Sequence, residues 1–151
     1  MAKPADALAV VKRAYEELAG MDRRIPDEDA RAQGPFGDVL SPDVEFSFLG
    51  PGWEAGDDVT GLPGFGRGLR EMRAAGEGWV ESFDSYRQWP TEYLAKGDRV
   101  MVRLRTEATL AGGSIPIEAG QGALLTVREG LIVRFHFFYA ADDALLALRQ
   151  A

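Results

Sequence analysis

The sequence predicts an α+β domain. Residues 4 to 19 have the apolar spacing of one helical face, four long extended segments follow from Val80 onward with only short turn signals between them, and an apolar helix closes the chain. With 151 residues, 46% of them hydrophobic, the chain has the length and composition to bury one core, so a single domain over residues 1–151 is expected.

In the first helix Leu8, Val11, Ala14, Tyr15 and Leu18 recur at intervals of three and four, which makes one buried stripe. Pro4 suits a first turn, Asp6 lies near the positive end of the helix dipole, and Gly20 is a stop. Pro26, Gly34, Pro35, Gly37 and Pro42 then break the chain into loop, with room for one short helix from Glu28 to Gln33. Asp43 to Leu49 is rich in strand formers and reads as the first strand. Gly50 to Gly68 reads as an exposed loop carrying Trp53, leading into a helix at Leu69 to Ala75. Gly64, Gly66 and Gly68 fit no dinucleotide fingerprint or P-loop, and Arg67 and Arg70 are the only basic support for an anion site there.

The extended segments are Phe83 to Leu94, Arg99 to Leu110, Ile115 to Val127 and Leu131 to Tyr139. Lys96-Gly97-Asp98, Gly112-Gly113 and Glu129-Gly130 separate them, and such short connections make neighbouring strands antiparallel, so the last strands form a meander. Ala141 to Gln150 is the closing helix, with Asp142 and Asp143 as possible caps.

Strand periodicity assigns faces. Val100, Val102, Leu104, Thr106, Ala108 and Leu110 share one side, opposite Arg103, Arg105 and Glu107. In the last strand Val133, Phe135, Phe137 and Tyr139 form an aromatic side, while Ile132, Arg134, His136 and Phe138 form the other. That second side is apolar enough to need cover, either by a second copy packing sheet against sheet in a homodimer or by a loop or helix of the same chain.

Composition excludes several chemistries. Without cysteine there is no disulfide framework, thiolate zinc site or cysteine nucleophile, and one histidine excludes the usual multi-histidine metal site. No cofactor motif is present. The N-terminal apolar run is interrupted by Lys12 and Arg13, unlike a secretory signal or membrane anchor, so a cytoplasmic address is expected. A formal net charge of −7 with scattered basic residues argues against a nucleic-acid partner.

The order of elements carries a family resemblance. Gly97-Asp98-Arg99-Val100-Met101-Val102 entering a strand, Val127 to Phe135 around the Glu129-Gly130 turn, Tyr139, and the Ala144-Leu145 helix resemble the C-terminal half of SnoaL-like proteins. These belong to the nuclear transport factor two-like superfamily. Ala14-Tyr15-Glu16 and Pro42 to Phe46 occupy the matching upstream places. The resemblance covers almost the whole chain and implies a cone-shaped α+β barrel, a strongly curved, mostly antiparallel sheet with helices packed on its concave face. Polyketide cyclases, ketosteroid isomerase and epoxide hydrolases share this fold, so it does not select a function. The epoxide hydrolase branch carries Arg-x-Asp and a later aspartate where this chain has Leu104, Thr106 and Phe137. A one-residue shift offers Arg105 and Glu107 instead, but it turns the apolar side outward. The isomerase tyrosine and aspartate fall on Ala14 and about Ser47, with Tyr15 one helical step away.

Given that fold, Leu104, Thr106, Gln121, Phe135, Phe137 and Tyr139 are the candidate ligand-binding residues, suited to a small apolar or aromatic compound. Tyr86, Trp89 and Trp53 are candidates to line or cover the opening. Two residues are candidates for acid–base chemistry. Glu45, if it faces an apolar cone, would have a raised pKa, and otherwise is a solvated glutamate beside a strand end; His136 is the side chain whose unperturbed pKa lies near neutrality, although alternation turns it away from Phe135 and Phe137. Three functions are compatible: a small-molecule-binding cone, an acid–base cyclase, isomerase or dehydratase acting on a polyketide-like or steroid-like carbonyl compound, and a non-catalytic dimeric interaction module.

Overall fold

A computed structural model describes residues 4–16, 39–47, 65–72, 74, 83–110, 112 and 116–150. The short helix expected at Glu28 to Gln33, as well as Trp53 and Gly64, lies outside them. Helix α1 (Pro4–Glu16) precedes six strands, β1 (Leu40–Ser47), β2 (Phe65–Arg67), β3 (Phe83–Lys96), β4 (Arg99–Leu110), β5 (Pro116–Arg128) and β6 (Leu131–Phe138). Helix α2 (Ala141–Arg149) closes the fold.

The strands form one open sheet in the order β2-β1-β6-β5-β4-β3, with β2 and β3 at its edges. β3 to β6 are the expected antiparallel meander, and β1 joins β6 in parallel. The β5–β6 connection is two residues, Glu129 and Gly130, both with positive φ (53° and 79°), the geometry that matches a tight hairpin to strand twist. Glycine carries this conformation without strain, whereas Glu129 adopts it against its side chain.

One face, called inner here, meets α1. Ala7, Val11, Ala14 and Tyr15 pack with Val100, Val102 and Leu104 of β4, Ala123, Leu125 and Val127 of β5, and Ile132, Phe135 and Phe137 of β6. The alternation along β4 sorts as the sequence suggests. Ile132 does not: it shares the inner face with Phe135, because a register irregularity between Thr126 and Val127 pairs Val127 with Ile132 but Thr126 with Arg134. The extra residue, Val133, resets the alternation, as a bulge does.

The outer face is covered in part by α2. Met101 and Phe138 pack with Ala141, Ala144 and Leu148, and Leu124 and Leu145 close the edges. Of the two covers considered for Phe138, the helix of the same chain is the one observed, and this helix lies on the outer face, opposite α1. Its close approach depends on Gly122, where a Cβ would sit 2.8 Å from Ala144 Cβ and 3.2 Å from Ala141 Cα. Lys96 Nζ donates to the Arg149 carbonyl (2.9 Å) at the end of α2, and Arg103 lies 3.7 Å from Asp142 at its start. The N-cap is Ala140, with no side-chain cap; Asp142 and Asp143 instead occupy the first turn, where the dipole favours them.

Two further boundaries differ from expectation. β1 starts at Leu40, earlier than Asp43, because Leu40 is buried and pairs with Ile132, while Pro42 sits in the irregular stretch between Leu40 and Glu45. Phe65–Arg67, expected as loop, is a short strand on β1, and Gly66 permits it: a Cβ there would lie 2.6 Å from Phe46 Cζ.

Candidate functional site

Apolar side chains fill most of the inner face, but one patch is polar. Gln88 from β3 stands opposite Thr106 of β4, and Gln121 of β5 stands opposite Leu104, so the three polar groups are neighbours across three strands. All are buried: Gln88 is 4% exposed, Thr106 3% and Gln121 8%. Their hydrogen bonds form a connected set. Thr106 Oγ1 donates to Gln121 Oε1 at 2.6 Å, and Gln88 Nε2 donates to Thr106 Oγ1 at 3.1 Å and to Tyr86 OH at 3.0 Å. Gln121 Oε1 is a more distant third acceptor for Gln88 Nε2, at 3.4 Å. Buried polar groups are tolerated only when so bonded, and a set of this kind orients its members.

Leu104 and Phe137 border this patch on the same face, with Phe135 farther along β6, each buried. Tyr139 follows the end of β6 at 45% exposure, its ring edge-on to Phe137 at 5.8 Å between centroids. The chain therefore has a polar patch, an apolar surround and an aromatic residue reaching solvent beside it. Gln88 was not a candidate from the sequence. Its usable signal was the two-residue step from Tyr86, but irregularities at Phe83/Ser85 and Pro90/Glu92 leave β3 without a continuous alternation.

The two acid–base candidates stand elsewhere. Glu45 projects from the outer face of β1, where it pairs with Arg67 and with Arg134 Nη2 (2.9 Å). Burial alone would push its pKa upward, but hydrogen bonds and charge from Arg134 and Arg67 outweigh that and hold it below the usual value. This direction is opposite to the one expected for a carboxylate in an apolar cone. It also commits Arg67, one of the two basic residues considered for an anion site. His136 is buried on the outer face, beside Ser47 in the parallel ladder, with its ring 4.1 Å from that of Phe138. Trp89 is likewise on the outer face, beneath the guanidinium of Arg105 at 5.6 Å. Among the described residues, no group of three His, Asp or Glu side chains is arranged to hold a metal ion.

Comparison with solved structures gives this architecture a place. A candidate SnoaL-like polyketide cyclase from a Jannaschia species superposes over 100% of this chain and 96% of its own, with a TM-score of 0.67 and 14% identity. A nuclear transport factor two-like protein of unknown function from Burkholderia pseudomallei matches over 97% of this chain and 98% of its own, at a TM-score of 0.64 and 19% identity. The fold is SnoaL-like. TerC, co-crystallised with polyporic acid, shares it over 97% of this chain and 99% of its own, at a TM-score of 0.62 and 19% identity. No protein-family model and no curated protein sequence matches the chain.

On the SnoaL-like fold, the positions compared with the epoxide hydrolase branch can be inspected directly. Leu104 and Thr106 face inward and are buried, whereas Arg105 and Glu107 lie on the outer face, paired with each other. Ala14 is buried in α1 against the inner face, and Ser47 is buried on the outer side of β1 next to His136. No Asp or Glu among the described residues belongs to the inner polar patch.

Proposed function

We propose that this chain binds a small, uncharged apolar or aromatic compound on the inner face of its sheet, against Leu104, Thr106, Gln121, Phe135, Phe137 and Tyr139. The observation that carries this reading is the buried neutral patch of Gln88, Thr106 and Gln121 set among apolar side chains. A few convergent polar groups in an apolar surround are what orients a small ligand. That TerC, of similar fold, was crystallised with polyporic acid is consistent with such use. The acid–base alternative needs a carboxylate or imidazole on this face, and Glu45 and His136 both stand on the other. A cytoplasmic setting and a homodimer belong to the same reading. With α2 over Phe138, the dimer surface would be the part of the outer face that carries Trp89 and Leu94.

The test is a nuclear magnetic resonance titration with naphthalene, 2-naphthol and quinoline. Saturable shifts at the amides of residues 104, 121, 135 and 137, weakened by Phe137→Leu, support the reading. Shifts absent there for all three compounds overturn it and favour a filled core serving protein interaction. Sedimentation of the wild type against Leu94→Glu tests the dimer surface, and an unchanged dimeric mass in the variant excludes it.

A further inference from the structure

Thr106 has a single hydroxyl proton, so it donates to one of the two glutamines and accepts from the other. Because the proton goes to Gln121 Oε1 at 2.6 Å, Oγ1 is left to accept from Gln88 Nε2 at 3.1 Å. Gln121 therefore turns its oxygen, and Gln88 its nitrogen, toward the centre of the cluster. The outward ends are then Gln121 Nε2, which only donates, and Gln88 Oε1, which only accepts. Among the described residues neither atom is hydrogen-bonded, although both side chains are more than nine-tenths buried. The two ends are an open donor and an open acceptor within an otherwise buried patch, and a ligand that supplies both complements completes the network.

We infer that Gln88 and Gln121 form an amide dyad that selects an uncharged ligand carrying an acceptor and a donor on neighbouring atoms, as in a lactam. This rests on the inner-face binding reading above and goes further by naming the chemical class. Gln121 Nε2 donates to the ligand carbonyl, and Gln88 Oε1 accepts from the adjacent N–H. No ionised side chain belongs to the cluster, so a carboxylate or ammonium ligand would lose its hydration there without a counter-charge. Phe137 and Tyr139 extend along β6 past Gly122, the neighbour of Gln121, and supply a surface for an aromatic body fused to the polar edge.

Affinities of four probes separate these claims: 2-quinolinone, which carries acceptor and donor; N-methyl-2-quinolinone, acceptor only; quinoline, without the amide; and quinoline-2-carboxylate, charged. The wild type is expected to bind 2-quinolinone about fivefold more tightly than its N-methyl analogue, the worth of one neutral hydrogen bond, and to bind the carboxylate weakest of all. Gln88→Met removes the preference for 2-quinolinone over its N-methyl analogue, whereas Gln121→Met weakens both lactams more than it weakens quinoline. The comparison among probes in the wild type stands even if a variant fails to fold. Equal binding of 2-quinolinone, its N-methyl analogue and quinoline overturns the dyad while leaving inner-face binding intact. Binding of none of the four overturns both.

Discussion

Gly122 offers a direct test of how α2 is held. Replacing it with alanine places a Cβ 2.8 Å from Ala144 Cβ and 3.2 Å from Ala141 Cα. The first distance is about 1 Å shorter than the roughly 3.5–4.0 Å optimum for carbon contacts, so α2 must lift or the strand must bend. The atoms in the way are a helix backbone and its shortest side chain, neither of which can rotate aside. Overpacking of this kind costs about 1–3 kcal/mol, which for a chain of this size lowers the melting temperature by roughly 2–12 °C. Gly120 is the internal control: it shares the strand and face but has nothing within 4 Å of a Cβ, so Gly120→Ala should be neutral or slightly stabilising. Amide hydrogen exchange should locate the loss of Gly122→Ala in residues 141–149 and leave α1 protected. Adding Ala144→Gly, despite about 1 kcal/mol of lost helix propensity, should recover stability relative to the sum of the single changes. If Gly122→Ala melts like Gly120→Ala, with unchanged exchange in α2, the packing of that helix over β5 is refuted.

Three further outcomes follow from charges and contacts. Glu45 has a lowered pKa, so its contribution is present above the unfolded value of 4.5 and is lost as pH falls through the folded one; Glu45→Gln should lower the urea midpoint at pH 7, with the gap from wild type narrowing as the pH falls below 4.5. Tyr93 is pushed up to about 12, first by burial and then by the charge of Glu16, so the stability linked to its proton is full below pH 10 and lost as pH rises toward 12. Tyr93→Phe should remove a tyrosinate absorbance that appears near pH 12 and flatten that alkaline loss. Lys96→Met deletes the 2.9 Å bond to the Arg149 carbonyl and should increase exchange in the last turn of α2, with less than about 1 kcal/mol of global cost because the contact is exposed.

What could be read in advance depended on how local its cause was. The stripe of α1 and the alternation in β4 follow from backbone periodicity, so Val11, Ala14, Val102 and Leu104 could be assigned to the core from spacing alone. The Glu129-Gly130 turn announced itself through glycine. Of the proposed ligand-binding residues, Leu104, Thr106, Gln121, Phe135 and Phe137 share one face, and that much follows from strand parity and the order of the meander. Gln88 was hidden because its strand is interrupted by two irregularities, and only pairing with Thr106 shows which way it points. The side Glu45 takes stayed open for a related reason: a weakly alternating strand does not reveal its faces, and its pKa direction came from two arginines remote in sequence, Arg67 and Arg134.

By itself the sequence determined the α+β class, the antiparallel meander and the inward face of β4, because periodicity and turn chemistry act over a few residues. The tertiary structure alone decided that α2 covers Phe138, that Ile132 turns inward and that Glu45 faces two arginines. Each of these depends on a register shift or on a meeting of side chains far apart along the chain, and no local pattern encodes either.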